Sequence, residues 1–376
     1  MLSLVLPACL SRSAPTFEAH SFTQPLDHFA ATPGRNFSQR YLVLQPPEDV
    51  APVPHTESDT LFFFCGMEGD VTVWANFSRF LIDVSRDVRI PGSVSVVYAE
   101  HRFYGNSVPG AKPLIEDAKW RYLTVEQSLA DYVALIRHLS TSRTRVVTFG
   151  GSYGGMQSAW MRARHPELIF AALASSAPLH FDRVGPSFFA LVTDAAEAVY
   201  PGCPALVRAG FLAAGASPMR TIASTFGLCS AVDETTEART HFELWARNAL
   251  VTLAMGNYPY ASDLFGKGLP AWPLAAACRA AEVAASNAPA NSSALVALAA
   301  AVGAYYNASG AVSCHDTERE YRACADQTGC GDSASAWGES WDREACTEIV
   351  YYTSTDNIRD MFPPRYAPLA GHHEGT

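Results

Sequence analysis

The sequence predicts an α/β fold in which helices wind around both sides of a parallel sheet. Residues 60–66 and 93–100 are continuous apolar runs, which is typical of strands that are buried on both faces of a sheet. Helical periodicity over 74–88 and 124–139 alternates with these strands, as in a doubly wound fold. From about residue 182 to about residue 335 the pattern changes to alanine-rich helical periodicity without comparable strand runs.

Residues 145–156 carry the most specific motif, a β-branched run that breaks into glycines around Ser152. The four flanking glycines carry no Cβ, which permits a sharp turn from strand to helix and lifts the serine oxygen clear of the sheet. Such a turn is the nucleophile elbow of an α/β-hydrolase, so Ser152 is the predicted nucleophile. The alternative is a glycine-rich turn with an incidental serine.

These patterns predict the organisation of the chain. A short apolar run followed by small and polar residues makes 1–14 a signal segment. We expect an α/β-hydrolase core over 15–181, a helical cap inserted at 182–335, and a return to the core over 336–376. A cap laid over the strand ends would exclude water from the site. An independent domain is the alternative, but no linker composition separates the two parts.

Composition argues against several classes of function. The chain has 376 residues, a formal net charge of −10 and no cluster of Lys and Arg with interleaved aromatic residues, which argues against a nucleic-acid partner. Beyond the signal segment, no apolar stretch approaches the roughly 20 residues that span a bilayer, so no membrane span is expected. No cysteine spacing suits zinc, and we expect neither a metal nor another cofactor.

Cysteines and glycosylation sequons indicate the secretory pathway. Seven of the nine cysteines lie between Cys203 and Cys346, and we expect them to form disulfides whose pairing the sequence leaves open. Four sequons predict N-glycosylation, at Asn36, Asn76, Asn291 and Asn307. The alternative is a cytosolic protein with reduced thiols and chance sequons.

Six segments match one family in order along the chain. They are Gln24–Phe29, Gly66–Asp70, Tyr98–Gly105, Leu123–Gln127, Gly150–Met156 and Ala174–Pro178. On these segments the chain resembles the serine exopeptidases that include lysosomal prolyl carboxypeptidase and dipeptidyl peptidase II. Further segments look closer to the dipeptidyl peptidase II branch, at 246–250, 257–260, 356–357 and 360–363.

This resemblance implies an activity and a location. The expected activity is the release of dipeptides, with proline or alanine second, from peptide substrates that have a free N-terminus. The expected location is the lysosome or another acidic vesicle, or secretion. The alternatives are a truncated non-catalytic relative, or prolyl carboxypeptidase-like or esterase activity on the same fold. The oligomeric state stays open, with a homodimer as one option.

A nucleophilic serine needs a histidine and a group that orients it, and the resemblance implies where both lie. The family carries them near its C-terminus, in an Asp-Pro-Trp and a Gly-Ala-His-His segment. This chain contains no Asp-Pro-Trp, and His372 and His373 echo the second segment without the strand that would precede it. We therefore expect a C-terminally truncated core, in which the chain as given is inactive or retains only residual catalysis.

Two further sets of site residues are expected. The backbone N–H of Tyr153 and one N–H of the loop at Gly66 and Met67 are predicted to form an oxyanion hole. A dipeptidyl peptidase also needs a carboxylate for the substrate's ammonium group, and Asp342 is predicted for this role because aromatic residues precede it. The alternative for Asp342 is a solvated loop carboxylate.

Three other polar residues near the predicted strand ends are expected to be structural. His101 and His165 precede or adjoin the elbow helix, and neither has the place in the chain order that the fold gives its catalytic histidine. Asp70 is expected to cap the helix that follows it.

Overall fold

The computed structural model divides the chain into one unit that contains a sheet, Met1–Ala177, and one unit built mainly from helices, Pro178–Thr376. The structure describes residues 15–32, 34–45, 59–86, 90, 92–109, 120–180, 187–230, 233–322, 340–341, 343–345, 347–349 and 353–365.

Six strands form the sheet of the first unit. They are β1 (Phe17–Pro25), β2 (Asn36–Leu44), β3 (Thr60–Phe64), β4 (Val94–Ala99), β5 (Arg145–Gly151) and β6 (Ile169–Ser175). Their order across the sheet is β1-β2-β4-β3-β5-β6. The strands β3, β4, β5 and β6 are parallel to one another, while β2 is antiparallel to both β1 and β4. The predicted parallel sheet is therefore confirmed, and the β1-β2 hairpin is an addition to it.

Among the described residues of this unit, four α-helices accompany the sheet. They are α1 (Val71–Phe77), α2 (Arg79–Ser85), α3 (Val125–Leu139) and α4 (Ser152–Arg164). The helix predicted over 74–88 is two helices, because the backbone leaves the helical region at Ser78. The predicted start of α3 is confirmed, since the Thr124 side chain accepts a hydrogen bond from the Gln127 N–H.

Both faces of the central strands β3 and β4 are buried, while β1 and β6 are largely exposed. Alternate β3 residues Leu61 and Phe63 belong to a cluster with the apolar side chains of α3 and α4. On the other face Phe62 packs against the ring of Phe149, and the Tyr98 hydroxyl donates to the carbonyl of Ser78 between α1 and α2. This burial on both sides explains why the parallel strands read as continuous apolar runs.

The second unit contains six α-helices among its described residues. They are α5 (Ser187–Val199), α6 (Cys203–Ala216), α7 (Met219–Phe226), α8 (Thr236–Met255), α9 (Pro273–Asn287) and α10 (Ser293–Tyr306). This agrees with the helical character expected for 182–335, while the role as a cap and the domain bounds stay predictions. Within the described part of the chain, no helix is both long and apolar enough to cross a bilayer.

The helical unit has its own core around Trp245, which is fully buried. The indole stacks on Tyr306, whose hydroxyl donates to the Trp245 carbonyl, and the indole N–H donates to Glu320. Close to the described end of the chain, Met361 and Phe362 join the same core. The predicted return of 336–376 to the hydrolase core stays a prediction, and this part of it packs on the helices.

Two disulfides cross-link the helical unit. Cys203–Cys278 joins α6 to α9, and Cys229–Cys314 joins the loop after α7 to the loop after α10. Disulfide formation in the cysteine cluster is thus confirmed for these four residues, and Cys324, Cys330 and Cys346 lie outside the described residues.

Removing a cross-link tests its contribution to the helical unit. Because Cys203 and Cys278 are 75 residues apart, the double variant Cys203→Ser/Cys278→Ser should lose about 2–5 kcal/mol of unfolding free energy. Urea unfolding followed by tryptophan fluorescence measures the change. An unchanged urea midpoint would show that the bond adds no stability.

Candidate active site

The site is built on the turn between β5 and α4, and Ser152 stands at its corner. The strand ends at Gly151, the helix begins at Ser152, and the φ of Ser152 is +49°. A positive φ at a residue other than glycine costs on the order of 1–3 kcal/mol and persists only where the surrounding structure imposes it. Ser152 is exposed at this turn, as the sequence motif predicts for its position.

The glycines of the motif allow backbones to touch around this turn. A Cβ on Gly150 would lie 2.0 Å from the carbonyl oxygen of Gly154, so the turn closes only without that atom. A Cβ on Gly154 would lie 2.6 Å from the carbonyl oxygen of Cys65. The first turn of α4 therefore packs directly against the end of β3, and this contact brings the loop after β3 to the elbow.

The predicted oxyanion residues lie on these two adjoining segments. Gly66 and Met67 follow β3, and Met67 packs against the elbow, since a Cβ on Gly154 would lie 3.4 Å from the Met67 Cβ. Tyr153 lies in the first turn of α4, where backbone N–H groups lack helical partners and favour negative charge. The Tyr153 ring is buried, and its hydroxyl is 3.2 Å from Nε2 of His101.

A buried ion pair between Arg102 and Asp131 joins the segment after β4 to α3. The Arg102 guanidinium donates to both carboxylate oxygens of Asp131, at 2.6 and 2.8 Å, and both side chains are fully buried. His28 Nε2 lies 2.7 Å from the same carboxylate, and Arg102 also donates to the carbonyls of Leu26 and Tyr122. Asp131 thus joins two matched segments, 24–29 and 98–105, although in the sequence it has only the pattern of an ordinary helix position.

A second polar cluster surrounds Glu100 at the end of β4. Its buried carboxylate accepts hydrogen bonds from Arg40, from the Val71 N–H and from the Ser107 hydroxyl. Arg40 also pairs with Asp70 at 2.5 Å, and Asp70 caps α1 by accepting from the Thr72 N–H, as predicted. These contacts fix the strand end rather than reach Ser152.

The histidines expected to be structural have structural contacts. The buried Nδ1 of His101 is 2.7 Å from the carbonyl oxygen of Arg102, and His165 ends α4 with Nδ1 3.6 Å from Glu167. Among the described residues, no histidine or carboxylate forms a hydrogen bond with Ser152. His372, His373 and Asp342 lie outside the described residues.

The four sequons lie at different degrees of exposure. Asn36, Asn76 and Asn291 are exposed. Asn307 is half-buried, because its side chain donates to the Val312 carbonyl at 3.2 Å and accepts from the Val312 N–H at 2.9 Å. Their glycosylation stays a prediction.

The parallel sheet, the serine at a strand-to-helix turn and the loop after β3 beside it together define an α/β-hydrolase. The predicted fold class is thereby confirmed. This chain belongs to the serine carboxypeptidase S28 family, which matches residues 24–369. The family resemblance seen in the sequence is therefore confirmed, and the family is one of serine peptidases.

Named relatives support the same family. The chain is 31% identical over 373 residues to lysosomal Pro-X carboxypeptidase of Homo sapiens, covering 95% of this chain and 70% of that protein. The mouse protein of the same name is 32% identical over 360 residues, with 91% and 67% covered. Prolyl carboxy peptidase like protein 5 of Caenorhabditis elegans is 27% identical over 365 residues, with 89% and 65% covered.

Solved structures add nothing to this assignment. The peroxisomal α/β-hydrolase Lpx1 of Saccharomyces cerevisiae superimposes with a TM-score of 0.28 and 14% identity, covering 43% of each chain. The fold assignment rests instead on the sheet and the elbow of this chain.

Substituting Gly154 tests the backbone contact at the elbow. Alanine favours a helix over glycine by about 1 kcal/mol, but at this position its methyl group would overlap the Cys65 carbonyl. We expect Gly154→Ala to destabilise the protein by about 1–3 kcal/mol, as overpacking does. Gly303→Ala in α10 is the control, because no atom beyond the adjoining backbone of its own helix lies within 4 Å of the added Cβ. Equal urea midpoints for the two variants would contradict the contact.

Asp70→Asn tests the ion pair with Arg40, since asparagine still caps a helix. Burial alone would raise the pKa of Asp70, but hydrogen bonds from Arg40 and Thr72 hold that pKa below its ordinary value. A lowered pKa stabilises the fold above the unfolded-state pKa, and this contribution disappears as the pH falls through the folded-state pKa. The unfolding free energy of the wild type should therefore exceed that of Asp70→Asn by on the order of 1 kcal/mol at pH 6. The difference should become smaller below about pH 4.

Urea unfolding of both proteins between pH 6 and pH 3 measures this difference. Asp194→Asn is the control, because it removes an exposed carboxylate of α5 and leaves the Arg40–Asp70 pair in place. A stability difference between wild type and Asp70→Asn that stays constant over the range would contradict a contribution from the charge.

Proposed function

We propose that this protein is a serine peptidase that cleaves peptides on the carboxyl side of proline, with Ser152 as the nucleophile. The observation that carries the proposal is the exposed serine at a positive-φ strand-to-helix turn. Family membership supports it, because the matched family is a family of serine carboxypeptidases. The relatives named Pro-X carboxypeptidase support proline as the residue before the cleaved bond.

The proposed reaction passes through an acyl-enzyme. Ser152 Oγ attacks the prolyl carbonyl carbon, and the developing oxyanion accepts hydrogen bonds from the N–H groups of Tyr153 and Met67. Collapse expels the leaving amine and leaves the prolyl end of the peptide esterified to Ser152. Water then hydrolyses this ester and regenerates the serine. The reaction needs a base that accepts the Ser152 proton and then gives it to the leaving amine.

The enzyme could act from either end of a peptide, as a carboxypeptidase or as a dipeptidyl peptidase. The names of the relatives favour release of the residue that follows a proline at the C-terminus. The sequence resemblance at 246–250 and 360–363 favours release of N-terminal dipeptides that end in proline or alanine, with Asp342 binding the substrate's free amine. When the dipeptide ends in proline, both activities place a prolyl group on Ser152, so the nucleophile and the oxyanion donors serve either candidate.

The proposed location is the lysosome or the secretory pathway. The two disulfides favour an oxidising compartment, and relatives are named lysosomal. The exposed sequons Asn36, Asn76 and Asn291 fit such a route.

Labelling with a fluorophosphonate tests the nucleophile. The wild type should form an adduct at Ser152, and Ser152→Ala should lose both the adduct and at least roughly 10³-fold in kcat/KM. Ser176→Ala is the matched control, because Ser176 is also exposed and has the same φ of +49°. A folded wild type that forms no adduct would identify the chain as a non-catalytic relative.

The same preparation distinguishes the candidate activities. An N-blocked peptide ending in Pro-Phe with a free carboxylate reports carboxypeptidase action, and a fluorogenic Ala-Pro amide with a free amine reports dipeptide release. Turnover of either substrate, even at the residual level expected for the chain as given, would support peptidase activity. Turnover of a simple ester but of neither peptide would contradict peptidase activity.

A further inference from the structure

The peptide group between Gly66 and Met67 is held by two buried donors from two different helices. The Tyr132 hydroxyl of α3 donates to the Gly66 carbonyl at 3.0 Å, and Nε2 of Gln157 of α4 donates to the same oxygen at 2.8 Å. Tyr132 and Gln157 are both fully buried. Both lone-pair directions of this carbonyl are therefore occupied.

The orientation of the Gln157 amide follows from these contacts. Its Nε2 must face Gly66, because the reverse orientation would set two acceptor oxygens against each other. Its Oε1 then accepts from the buried Ser128 hydroxyl of α3, at 2.9 Å. Both polar atoms of the Gln157 amide thus have a hydrogen-bond partner, Gly66 for Nε2 and Ser128 for Oε1.

Fixing this carbonyl also fixes the direction of the Met67 N–H. The peptide bond is planar and trans, so the C=O of Gly66 and the N–H of Met67 point in opposite directions. Tyr132 and Gln157 hold the carbonyl, and the N–H therefore points away from them. Among the described residues none accepts a hydrogen bond from this N–H, although Met67 is buried.

We propose that Tyr132 and Gln157 are positioning residues that aim the Met67 N–H at the oxyanion formed on the substrate of Ser152. The inference rests on the proposed function, since it concerns the transition state of that reaction. A donor aimed before the substrate arrives needs no reorganisation during the reaction, which is the condition under which such donors are most effective. Gly66 itself cannot take another residue, because a Cβ there would lie 2.3 Å from the Ala99 carbonyl oxygen.

Tyr132→Phe is the sharpest test, since it removes one hydroxyl and keeps the ring that packs against Phe63. We expect kcat to fall by about 10-fold with KM nearly unchanged, less than the 10²–10³-fold that follows removal of an oxyanion donor. A peptidyl-prolyl aldehyde, which forms a tetrahedral adduct with the serine, should lose affinity by the same factor. The affinity of a product peptide carboxylate should stay constant.

Tyr98→Phe is the matched control. Tyr98 is equally buried and also donates its hydroxyl to a backbone carbonyl, that of Ser78 at 3.0 Å, on the other face of the sheet. The Tyr98→Phe variant should show a decrease in unfolding free energy similar to that of Tyr132→Phe. Its kcat and its affinity for the aldehyde should equal those of the wild type. Gln157→Met, of similar volume, should reproduce the kinetic signature of Tyr132→Phe even if the two variants differ in stability.

The outcomes separate this inference from the proposed function. A wild type without a fluorophosphonate adduct contradicts the function itself. If the wild type is labelled and active, the positioning role is tested by the variants. It is overturned if Tyr132→Phe keeps its kcat and aldehyde affinity as Tyr98→Phe does, or if only its KM changes.

Discussion

The sheet unit depends on one backbone contact, the approach of the first turn of α4 to the carbonyl of Cys65, the residue that follows β3. Gly154 allows it, because any side chain there would overlap the Cys65 oxygen. The contact sets the serine of the elbow beside the loop that carries Met67. A looser fit at this point would separate the nucleophile from a donor for its oxyanion, and distances of this kind decide whether such a donor contributes to catalysis.

The sheet unit also contains buried charged groups among its apolar side chains, above all Arg102 and Asp131. The Arg102–Asp131 pair is fully buried, and each partner has a further polar contact. Arg102 donates to the Leu26 carbonyl, and the Asp131 carboxylate lies at hydrogen-bond distance from His28. An unpaired charge in this position would cost several kcal/mol. Charged residues of the matched segments 24–29 and 98–105 therefore have a structural role, since they fix strand ends and loops.

Local patterns in the sequence were sufficient for part of this architecture. The buried strands, the threonine cap of α3 and the elbow are signalled by neighbouring residues, and each lies where the pattern predicts. The hairpin β1-β2 was not predicted, because β1 is largely exposed and both strands carry polar residues among their apolar ones. Asp131, Tyr132 and Gln157 read as ordinary helix positions, and their partners lie far away in the sequence.

Among the described residues of the sheet unit, the free thiol is that of Cys65. Cys65 is reduced, fully buried at the end of β3, and burial raises the pKa of its thiol. Thiolate, the species that exchanges with disulfides, is therefore scarce and inaccessible while β3 stays in place. The backbone segment that meets the elbow thus also keeps Cys65 from exchanging with disulfides for as long as the sheet stays folded.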